Sequence, residues 1–342
     1  MSKMKSVLSL GEMLLRLSPE NHKMIIQSGT NLLEMFYGGA ELNVSIALAN
    51  FGVKSGYITK VPDNSLGDKG IKYLKQYGVN TENIQIGGER IGIYFLENGY
   101  SVRPSCVTYD RKYSSFSEME MTDEEIRKAL SDYDVLFISG ITLSISEKTF
   151  KLSKQFIKIA KELEKEIIFD CNYRSKLISL EEASKRYREI IDYADVLFAG
   201  YLDFINIFKI ENPEYDGKED YTEYYKKLYT KVYEKYNFKY IISSIRKSVS
   251  SNRNEYSGII TDGKETIKGR EYHIEIQDRV GTGDAFTSGA IYGYLSGKDK
   301  EGIINFAIGS GALKHTIHGD VSEFGVEDIL QIINSKCFDI AR

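Results

Sequence analysis

Tryptophan is absent from this sequence of 342 residues, and proline, histidine and cysteine are scarce. The three cysteines, Cys106, Cys171 and Cys337, are odd in number and far apart, which favours neither a disulfide framework nor a zinc site. We therefore expect a reduced, cytoplasmic setting. No apolar run is long enough to span a bilayer, and the residues before the first predicted strand lack the apolar core of a signal peptide. These absences predict a soluble protein without a membrane partner.

A strong excess of charge is also missing. The 45 basic and 49 acidic residues give a net charge of −4, and no block of basic residues occurs. Nucleic acid is therefore not expected as a partner. The content of 42% hydrophobic and 27% charged residues is ordinary for a globular protein. The length suits one large α/β domain with an appendage, or two domains, and we predict a single domain over 1–342.

Short apolar runs alternate with amphipathic stretches along most of the chain. This order predicts right-handed crossovers and a mostly parallel, doubly wound sheet. Two segments, about 12–36 and 86–116, break the alternation, and we predict that their strands form a small accessory sheet that acts as a lid. The predicted strands are 7–10, 56–61, 135–139, 167–170, 196–199, 240–243 and 256–261, and the predicted helices are about 40–51, 65–77, 122–132, 146–164, 180–193, 219–236, 284–296, 300–317 and 325–334.

The segment 278–289, DRVGTGDAFTSG, carries the clearest chemical signal. Gly281, Thr282 and Gly283 form a tight turn before a predicted helix, so that backbone N–H groups and the helix dipole converge on an anion. Asp284 in the first turn would repel a phosphate, but it suits a base that deprotonates a hydroxyl attacking a phosphoryl group. The segment predicts a phosphotransfer centre. An ordinary helix start with an aspartate cap is the alternative.

The predicted helix after this turn has small residues on one face. Ala285, Gly289 and Gly293 are four positions apart, so another backbone can pack very close to the helix. Gly297 is placed to end it. A helix of this kind favours the phosphotransfer interpretation, because it would hold the preceding turn rigidly.

Polar clusters follow several predicted strands. They occupy 139–142, 170–174 and 281–284, where the last cluster leads into a late helix. In open parallel sheets, ligands bind beyond the carboxyl ends of the strands. Three distant parts of the chain are therefore predicted to meet at one edge of the sheet.

A second glycine motif lies near the start of the chain, at 37–43, YGGAELN. Alone, it could be a glycine turn before a buried helix. Together with 281–284, in this order, it resembles the two signatures of the ribokinase-like (phosphofructokinase B) sugar kinases, and the resemblance extends from about Gly11 to Asp320. It implies a three-layer α/β/α fold with a small β-sheet lid, ATP as the phosphate donor, and Mg²⁺ bridging the nucleotide phosphates.

Within that family, further motifs resemble those of the 2-keto-3-deoxygluconate kinases. They lie at 11–19, 62–67, 90–97, 107–111 and 170–174. The resemblance implies phosphorylation of the terminal hydroxyl of a sugar acid, 2-keto-3-deoxygluconate, to its 6-phosphate. The gluconate and galactonate epimers are not distinguished by these motifs.

The resemblance also implies roles for individual residues. Catalytic roles fall on Asp284 as the base, on Gly281 and Gly283 through their amides, and on Arg174 near the transferred phosphate. Substrate contacts are implied for Gly38, Gly39, Asn43, Tyr94, Tyr109, Arg111, Ile141, Arg174, Asp284 and Asp320. Nucleotide contacts are implied for Asn172, Arg246, Ser248, Gly281, Thr282 and Gly283.

Elementary chemistry supports several of these roles. Arg111 or Arg174 could bind the substrate carboxylate with a two-pronged, charge-assisted hydrogen bond. Tyr94 and Tyr109 offer hydroxyl groups and a flat wall for the carbon chain. Each of these side chains, taken singly, could instead belong to the core or the surface, and Asp320 could equally cap 321–323.

The chain departs from the family pattern in two places. Many relatives carry Asn-x-x-Glu where this chain has Gly200 to Asp203, which leaves the metal-holding residues unassigned. Many also have a glycine-rich nucleotide loop where this chain has the polar segment 244–254. The side chains of Arg246 and Ser248 could replace its amides, with the adenine pocket between this segment and helix 300–317.

Two other functions remain open from the sequence. The first is a fructokinase or another sugar kinase of the same family, and the second is a non-catalytic regulator that binds a sugar or nucleotide. The intact Gly281, Gly283 and Asp284 disfavour the regulator, because a binding protein needs no base. We also expect a homo-oligomer through the lid, because an accessory sheet has edges and an apolar face that need covering.

Overall fold

The computed structural model describes residues 4–27, 29, 32–214 and 221–334. The strands are β1 (Val7–Leu10), β2 (Leu14–Ser18), β3 (Glu34–Gly38), β4 (Ser55–Ile58), β5 (Lys60–Val61), β6 (Gln85–Ile86), β7 (Gly92–Glu97), β8 (Cys106–Asp110), β9 (Val135–Ser139), β10 (Glu166–Asp170), β11 (Val196–Phe198), β12 (Tyr240–Ser250), β13 (Arg253–Thr261), β14 (Thr266–Lys268) and β15 (Tyr272–Glu275). The helices are α1 (Ala40–Asn50), α2 (Ser65–Gln76), α3 (Asp123–Ser131), α4 (Gly140–Ser144), α5 (Glu147–Glu162), α6 (Leu180–Arg188), α7 (Tyr201–Asn206), α8 (Tyr221–Tyr233), α9 (Thr282–Leu295), α10 (Lys300–Lys314) and α11 (Val326–Asn334).

The main sheet contains nine of the described strands and is mostly parallel. Its order is β14-β13-β12-β11-β10-β9-β1-β4, with β15 paired to β13. The six strands from β12 to β4 are parallel, whereas β13, β14 and β15 are antiparallel additions at one side. All residues of β1 and β9 are buried, as expected for strands covered on both faces. The predicted doubly wound sheet is confirmed.

Helices cover both faces of this sheet, which gives three layers. Alternate side chains of each strand enter opposite cores, because successive residues of a strand point to opposite faces. Val135 and Phe137 of β9 pack on one side, and Leu136 and Ile138 on the other. One core includes Val44 (α1), Phe286 (α9), Phe306 (α10) and Ile329 (α11), and the other includes Ile126 (α3), Phe156 (α5), Tyr187 (α6) and Leu228 (α8).

Helices α9 and α10 pack very closely through the small residues of α9. A Cβ added to Gly289 would lie 3.0 Å from the Cα of Ala307, and one added to Gly293 would lie 3.0 Å from the Cα of Ile303. The helix ends before Gly297, which has a φ of 73°. The close backbone approach predicted from the spacing is confirmed, and it fixes the start of α9 relative to the sheet.

The accessory sheet forms the predicted lid. Its order is β3-β2-β7-β8, with β2 and β7 parallel and the outer pairs antiparallel. The strands come from the segments about 12–36 and 86–116, as expected, although β3 continues to Gly38. Leu15 and Tyr37 at its base join a core with Tyr57 and Leu74, so the lid grows directly out of the main domain.

Some elements differ from the prediction. The predicted strand 56–61 is divided into β4 and β5, and the strand predicted at 240–243 continues to Ser250 and forms a hairpin with β13. The second half of β12 is mostly solvent-exposed and contains only Ile245 and Val249 as apolar residues, so its apolar pattern is weak. The short helices α4 and α7 were not predicted. Of the predicted helix 219–236, positions 219 and 220 lie outside the described residues, and α8 covers Tyr221–Tyr233. None of the helices in the described ranges has the length and apolar character needed to cross a bilayer.

A buried carboxylate at the amino-terminal edge of the sheet connects the starts of β1, β10 and β12 with helix α9. This edge is opposite the polar strand ends. Glu166 of β10 accepts hydrogen bonds from Lys5, at 2.6 Å, and from Lys239 and Tyr294. Burial acts to raise its pKa, but these three donors outweigh burial and lower the pKa of Glu166 to about 2. A depressed pKa means that ionised Glu166 stabilises the folded state.

We predict that Glu166→Gln lowers the free energy of unfolding at pH 7 by roughly 2–3 kcal/mol, since each pKa unit is worth about 1.4 kcal/mol. This contribution is present above the unfolded-state pKa of about 4.3 and is lost as pH falls toward 2, so the two proteins should converge on acidification. Urea unfolding between pH 7 and 3 measures the difference. Glu162→Gln, which removes an exposed pair with Arg127, should change stability by less than about 1 kcal/mol.

Candidate active site

A cleft of about 780 Å³ opens at the carboxyl ends of β1, β9, β10, β11 and β12, beneath the lid. Most of the residues predicted for the site line it, so the three polar clusters do meet at one edge. Those residues are Gly39, Asn43, Tyr94, Tyr109, Arg111, Ile141, Asn172, Arg174, Arg246, Gly281, Thr282, Gly283, Asp284 and Asp320.

Two predicted residues lie outside the lining. Gly38 packs against the carboxylate of Asp320. A Cβ at Gly38 would lie 2.3 Å from the Oδ2 atom of Asp320. Its place in the motif is therefore explained by the room it leaves for that carboxylate. Ser248 is exposed on β12, beyond Arg246 on the same face of the strand. The predicted polar loop is in fact this hairpin.

The turn before α9 requires glycine and presents free amides to the cleft. Gly281 has a φ of 73°, and a Cβ there would lie 1.9 Å from the carbonyl oxygen of Asp320. No described atom lies within 4 Å of the Cβ position at Gly283, so the turn opens onto free space. The amides of Thr282, Gly283 and Asp284 have no acceptor within the helix, because they belong to its first turn. This arrangement can cradle an anion.

Asp284 is a buried carboxylate whose pKa lies near neutral pH. Burial raises the pKa of Asp284 to about 7, while a hydrogen bond from Asn43 and the charge of Arg174 oppose the rise. The Nδ2 atom of Asn43 donates to Oδ2 of Asp284 at 2.7 Å. A general base works best when its pKa lies near the operating pH. The carboxylate is therefore able to take a proton from a bound hydroxyl.

Two further aspartates lie at adjacent strand ends. Burial raises the pKa of Asp170 to about 7, with a further contribution from Asp284, and burial raises the pKa of Asp203 to about 6. Asp170 accepts from the hydroxyl of Thr287 at 3.1 Å, and Asp203 accepts from the amide of Gly200 at 2.8 Å at the start of α7. No group of three metal-ligating side chains converges in the described ranges. The charge of Arg174 acts to lower both pKa values but does not offset the effect of burial.

The lid contributes a pair of tyrosines from opposite positions of β7 and β8. The rings of Tyr94 and Tyr109 have centroids 6.3 Å apart, and the hydroxyl of Tyr94 donates to Oδ2 of Asp320 at 2.7 Å. Asp320 is buried by this contact and by Arg16. It therefore belongs to the site wall, and no helix begins at 321–323 for it to cap.

Two buried glutamates of the cleft were not assigned roles from the sequence. Glu12 accepts from Nε of Arg111 at 2.8 Å and from Nη2 as well, so the charge of Arg111 is already balanced. Glu41 accepts at one oxygen from the amide and hydroxyl of Ser139 and from the hydroxyl of Thr142. Both glutamates fall inside the quoted motifs, but their neighbours come from distant strands that the sequence does not pair. Arg174, by contrast, forms no ion pair within the described part of the chain.

Comparison with known proteins identifies the family. Residues 4–323 match the family described as pfkB family carbohydrate kinase. The chain belongs to this family and is a carbohydrate kinase. The predicted ribokinase-like family membership is confirmed.

Three relatives show how this kinase compares within the family. The crystal structure of 2-dehydro-3-deoxygluconokinase from Thermotoga maritima is 38% identical, with a TM-score of 0.91 over 97% of this chain and 100% of that one. A putative 2-keto-3-deoxygluconate kinase from Enterococcus faecalis is 29% identical, with a TM-score of 0.90 over 99% of each chain. A 2-dehydro-3-deoxygalactonokinase from Haloferax volcanii is 26% identical over 98% of this chain and 99% of its own length.

In this kinase, a fully buried arginine joins the lid to the turn at Gly281–Gly283, which is called the phosphate turn below after its predicted ligand. Nη1 of Arg16 in β2 lies 3.0 Å from Asp278, and Nε lies 2.8 Å from Asp320. The guanidinium also stacks 4.2 Å from the centroid of Phe36. An arginine within the apolar strand LLRLS was the available signal, but its two partners lie more than 250 residues away. The ion pairs hold β2 against the segments on both sides of the turn.

We predict that Arg16→Met lowers the free energy of unfolding by about 3–5 kcal/mol, because it leaves two buried carboxylates without their cation. Chemical denaturation at pH 7 measures the loss. Arg90→Met is the control, since Arg90 pairs with the exposed Asp110 on the same lid, and it should cost less than about 1 kcal/mol. Equal losses for both variants would contradict the prediction.

Proposed function

We propose that this kinase transfers the γ-phosphoryl group of ATP to the terminal hydroxyl of 2-keto-3-deoxygluconate, the compound that the Thermotoga relative's name gives as 2-dehydro-3-deoxygluconate. The observation that carries the proposal is the buried carboxylate of Asp284 beside the free amides of Gly283 and Thr282. Because ATP is supplied inside the cell, we propose a cytoplasmic location.

In the proposed reaction, Asp284 takes the proton of the terminal hydroxyl as its oxygen attacks the γ-phosphorus. A new O–P bond forms, the bond from phosphorus to the β–γ bridging oxygen breaks, and ADP leaves with that electron pair. The amides of the turn stabilise the negative charge on the phosphoryl oxygens. Arg174, whose charge acts on Asp284, is close enough to share in that stabilisation.

A sugar acid suits the two arginines Arg111 and Arg174, which both line the cleft. The guanidinium of Arg174 acts on nearby carboxylates through its charge but forms no direct ion pair in the described ranges, and Arg111 keeps N–H groups beyond those bound to Glu12. A substrate carboxylate would accept charge-assisted hydrogen bonds from these two groups. Tyr94 and Tyr109 would flank the carbon chain. A neutral hexose has no carboxylate to accept these bonds.

Mg²⁺ fits the two strand-end aspartates. Burial raises the pKa values of Asp170 and Asp203, and the charge of Arg174 only partly opposes the rise. A bound cation would stabilise the ionised form of both carboxylates. Mg²⁺ in such sites is held by one or two carboxylates together with substrate phosphates and water. We propose that these two residues hold the ion that accompanies ATP, and that it neutralises charge on the phosphates.

We expect Asp284→Asn to lower kcat by roughly two to four orders of magnitude, because the amide cannot accept the proton. Isothermal titration of ADP would show whether nucleotide binding persists. In the wild type, kcat/KM for the sugar acid should fall as pH drops below about 7, since Asp284 must be ionised. Asn43→Leu should move that limb to higher pH, because it removes a donor that favours the ionised form. Near-normal turnover by Asp284→Asn would contradict the assigned role.

A coupled assay of ADP formation over 2-keto-3-deoxygluconate, its galactonate epimer, fructose and ribose tests the substrate. We expect the sugar acids to be preferred, and Arg174→Met to raise KM for the acids by about tenfold or more, because a charge-assisted hydrogen bond is lost. A preference for fructose would favour the fructokinase alternative. Absence of ADP formation with every compound would favour the regulator.

We further propose self-association through the outer face of the lid. Leu17, Met35 and Phe95 lie at paired positions on the face away from the cleft, and Met35 is 38% exposed. Covering this apolar face with a second copy would remove it from water. Phe95→Glu should therefore convert the wild-type oligomer into a monomer in light scattering coupled to size exclusion, whereas Lys151→Glu on α5 should leave it unchanged. A monomeric wild type would contradict the proposal.

A further inference from the structure

Two arginines line the cleft beside the turn at Gly281. Arg246 comes from β12, and Arg279 comes from the segment just before the phosphate turn. Within the part of the chain that the structure describes, neither guanidinium is ion-paired with a carboxylate. Burial lowers the pKa of Arg279, and the nearby positive charge of Arg246 lowers it further. Two like charges held together at a cleft wall are unfavourable unless an anion joins them.

Buried polar atoms without partners lie directly behind this pair. Tyr256 is opposite Arg246 in the β12–β13 ladder, so their side chains share a face of the hairpin. Among the described residues, the hydroxyl of Tyr256, both amide atoms of Asn254 and Nε2 of His315 have no hydrogen-bond partner, although all three residues are buried. Leaving such groups unsatisfied costs free energy.

His315 adds no charge to this wall. Burial lowers the pKa of His315 to about 4, and Arg246, Lys314 and Arg279 add to the effect. Its Nδ1 lies 2.7 Å from the carbonyl oxygen of Gly311, so Nδ1 carries the proton and Nε2 is an acceptor. Lys314 is fully buried and does not line the cleft, so the positive charge that faces the cleft at this wall comes from the two arginines.

Arg279 is held in position by the tip of the hairpin. Its Nη2 donates to the carbonyl oxygen of Ser251 at 2.8 Å. The amide and hydroxyl of Ser251 in turn donate to the carbonyls of Ser101 and Arg103 in the lid. One N–H of the guanidinium is used in this way, and the remaining donors stay available at the cleft.

We propose that Arg246 and Arg279 form a clamp for the α- and β-phosphates of the nucleotide. The inference rests on the proposed function, in which the γ-phosphate occupies the amides at Thr282 and Gly283. Arg279 is only three positions before Thr282, so the polyphosphate runs from the turn toward the hairpin. Because ADP retains both phosphates, the clamp binds product as well as donor. Its loss acts on nucleotide affinity and leaves the phosphoryl-transfer step itself unchanged.

Isothermal titration of ADP and of adenosine, without any sugar acid, tests the clamp. We expect Arg279→Met and Arg246→Met each to weaken ADP binding by about tenfold to a hundredfold, the range for a charge-assisted hydrogen bond. Adenosine affinity should change by less than about twofold, since adenosine has no phosphate. Inorganic tripolyphosphate should displace ADP from the wild type and do so less effectively from the variants.

Arg253→Met is the matched control, because Arg253 lies on the same hairpin but is exposed and pairs with Glu275. It should bind ADP like the wild type. Arg279→Lys retains the charge and should bind ADP with an affinity between those of the wild type and Arg279→Met. Thermal unfolding of each variant shows whether a loss of ADP affinity comes from a lost contact or from a destabilised fold. Unchanged ADP affinity in both methionine variants would overturn the clamp, as would an equal loss for adenosine or a wild type that does not bind ADP.

The experiments distinguish a failure of the clamp from a failure of the sugar-acid assignment. If the panel of acceptors shows no sugar-acid activity while ADP binding follows the expected pattern, the clamp stands and the substrate is wrong. If 2-keto-3-deoxygluconate is phosphorylated and the two methionine variants retain wild-type KM for ATP, the clamp is wrong and the reaction stands.

Discussion

The site depends on a carboxylate held at the amino-terminal end of a helix and buried at the same time. The helix dipole favours an ionised Asp284, as do Asn43 and Arg174, whereas burial favours the protonated form. The balance brings the pKa of Asp284 to about 7, which neither effect alone would give. The amides that would hold a phosphate belong to the same turn, so base and anion site cannot move independently. The close packing of Gly289 and Gly293 on α10 fixes that turn in place.

Asp320 connects this turn to the substrate side of the cleft. Its carbonyl oxygen is the atom that forces Gly281 to be glycine, and its carboxylate accepts from Tyr94 and pairs with Arg16. The lid is therefore joined to the phosphate turn through one residue, with Asp278 as a second anchor for Arg16. A change in the ion pair would shift Tyr94 and Gly281 together. The buried charges of Arg16, Asp278 and Asp320 therefore do more than fill space, because they connect the lid to the turn, which apolar residues of the same volume would not do.

Much of the fold could be predicted because its signals are local. Apolar strands buried on both faces alternate with amphipathic helices. The glycines at 281 and 283, just before a helix, predict both a tight turn and an anion as its ligand. Arg16, Glu12 and Glu41 could not be assigned in this way, because each depends on a partner brought close only by the sheet order. The hairpin after Ser243 was missed for another reason. Its outer half is mostly exposed and has only Ile245 and Val249 as apolar residues, so its sequence differs little from that of a loop.

The charges around the cleft are distributed so that two anionic ligands would bind at different positions. Both proposed substrates are anions, and a cleft with uniform positive charge would bind them without distinguishing their positions. Instead, Glu12 neutralises Arg111, and Arg174 acts on Asp284 through its charge without a direct ion pair among the described residues. Arg246 and Arg279 form a separate positive wall. Asp170 and Asp203 lie at neighbouring strand ends, where their negative charge repels a bare phosphate. Nucleotide phosphates would approach that region favourably only with a cation. In the proposed reaction, the two carboxylates would therefore favour the metal-bound form of the donor and keep it on its own side of the cleft.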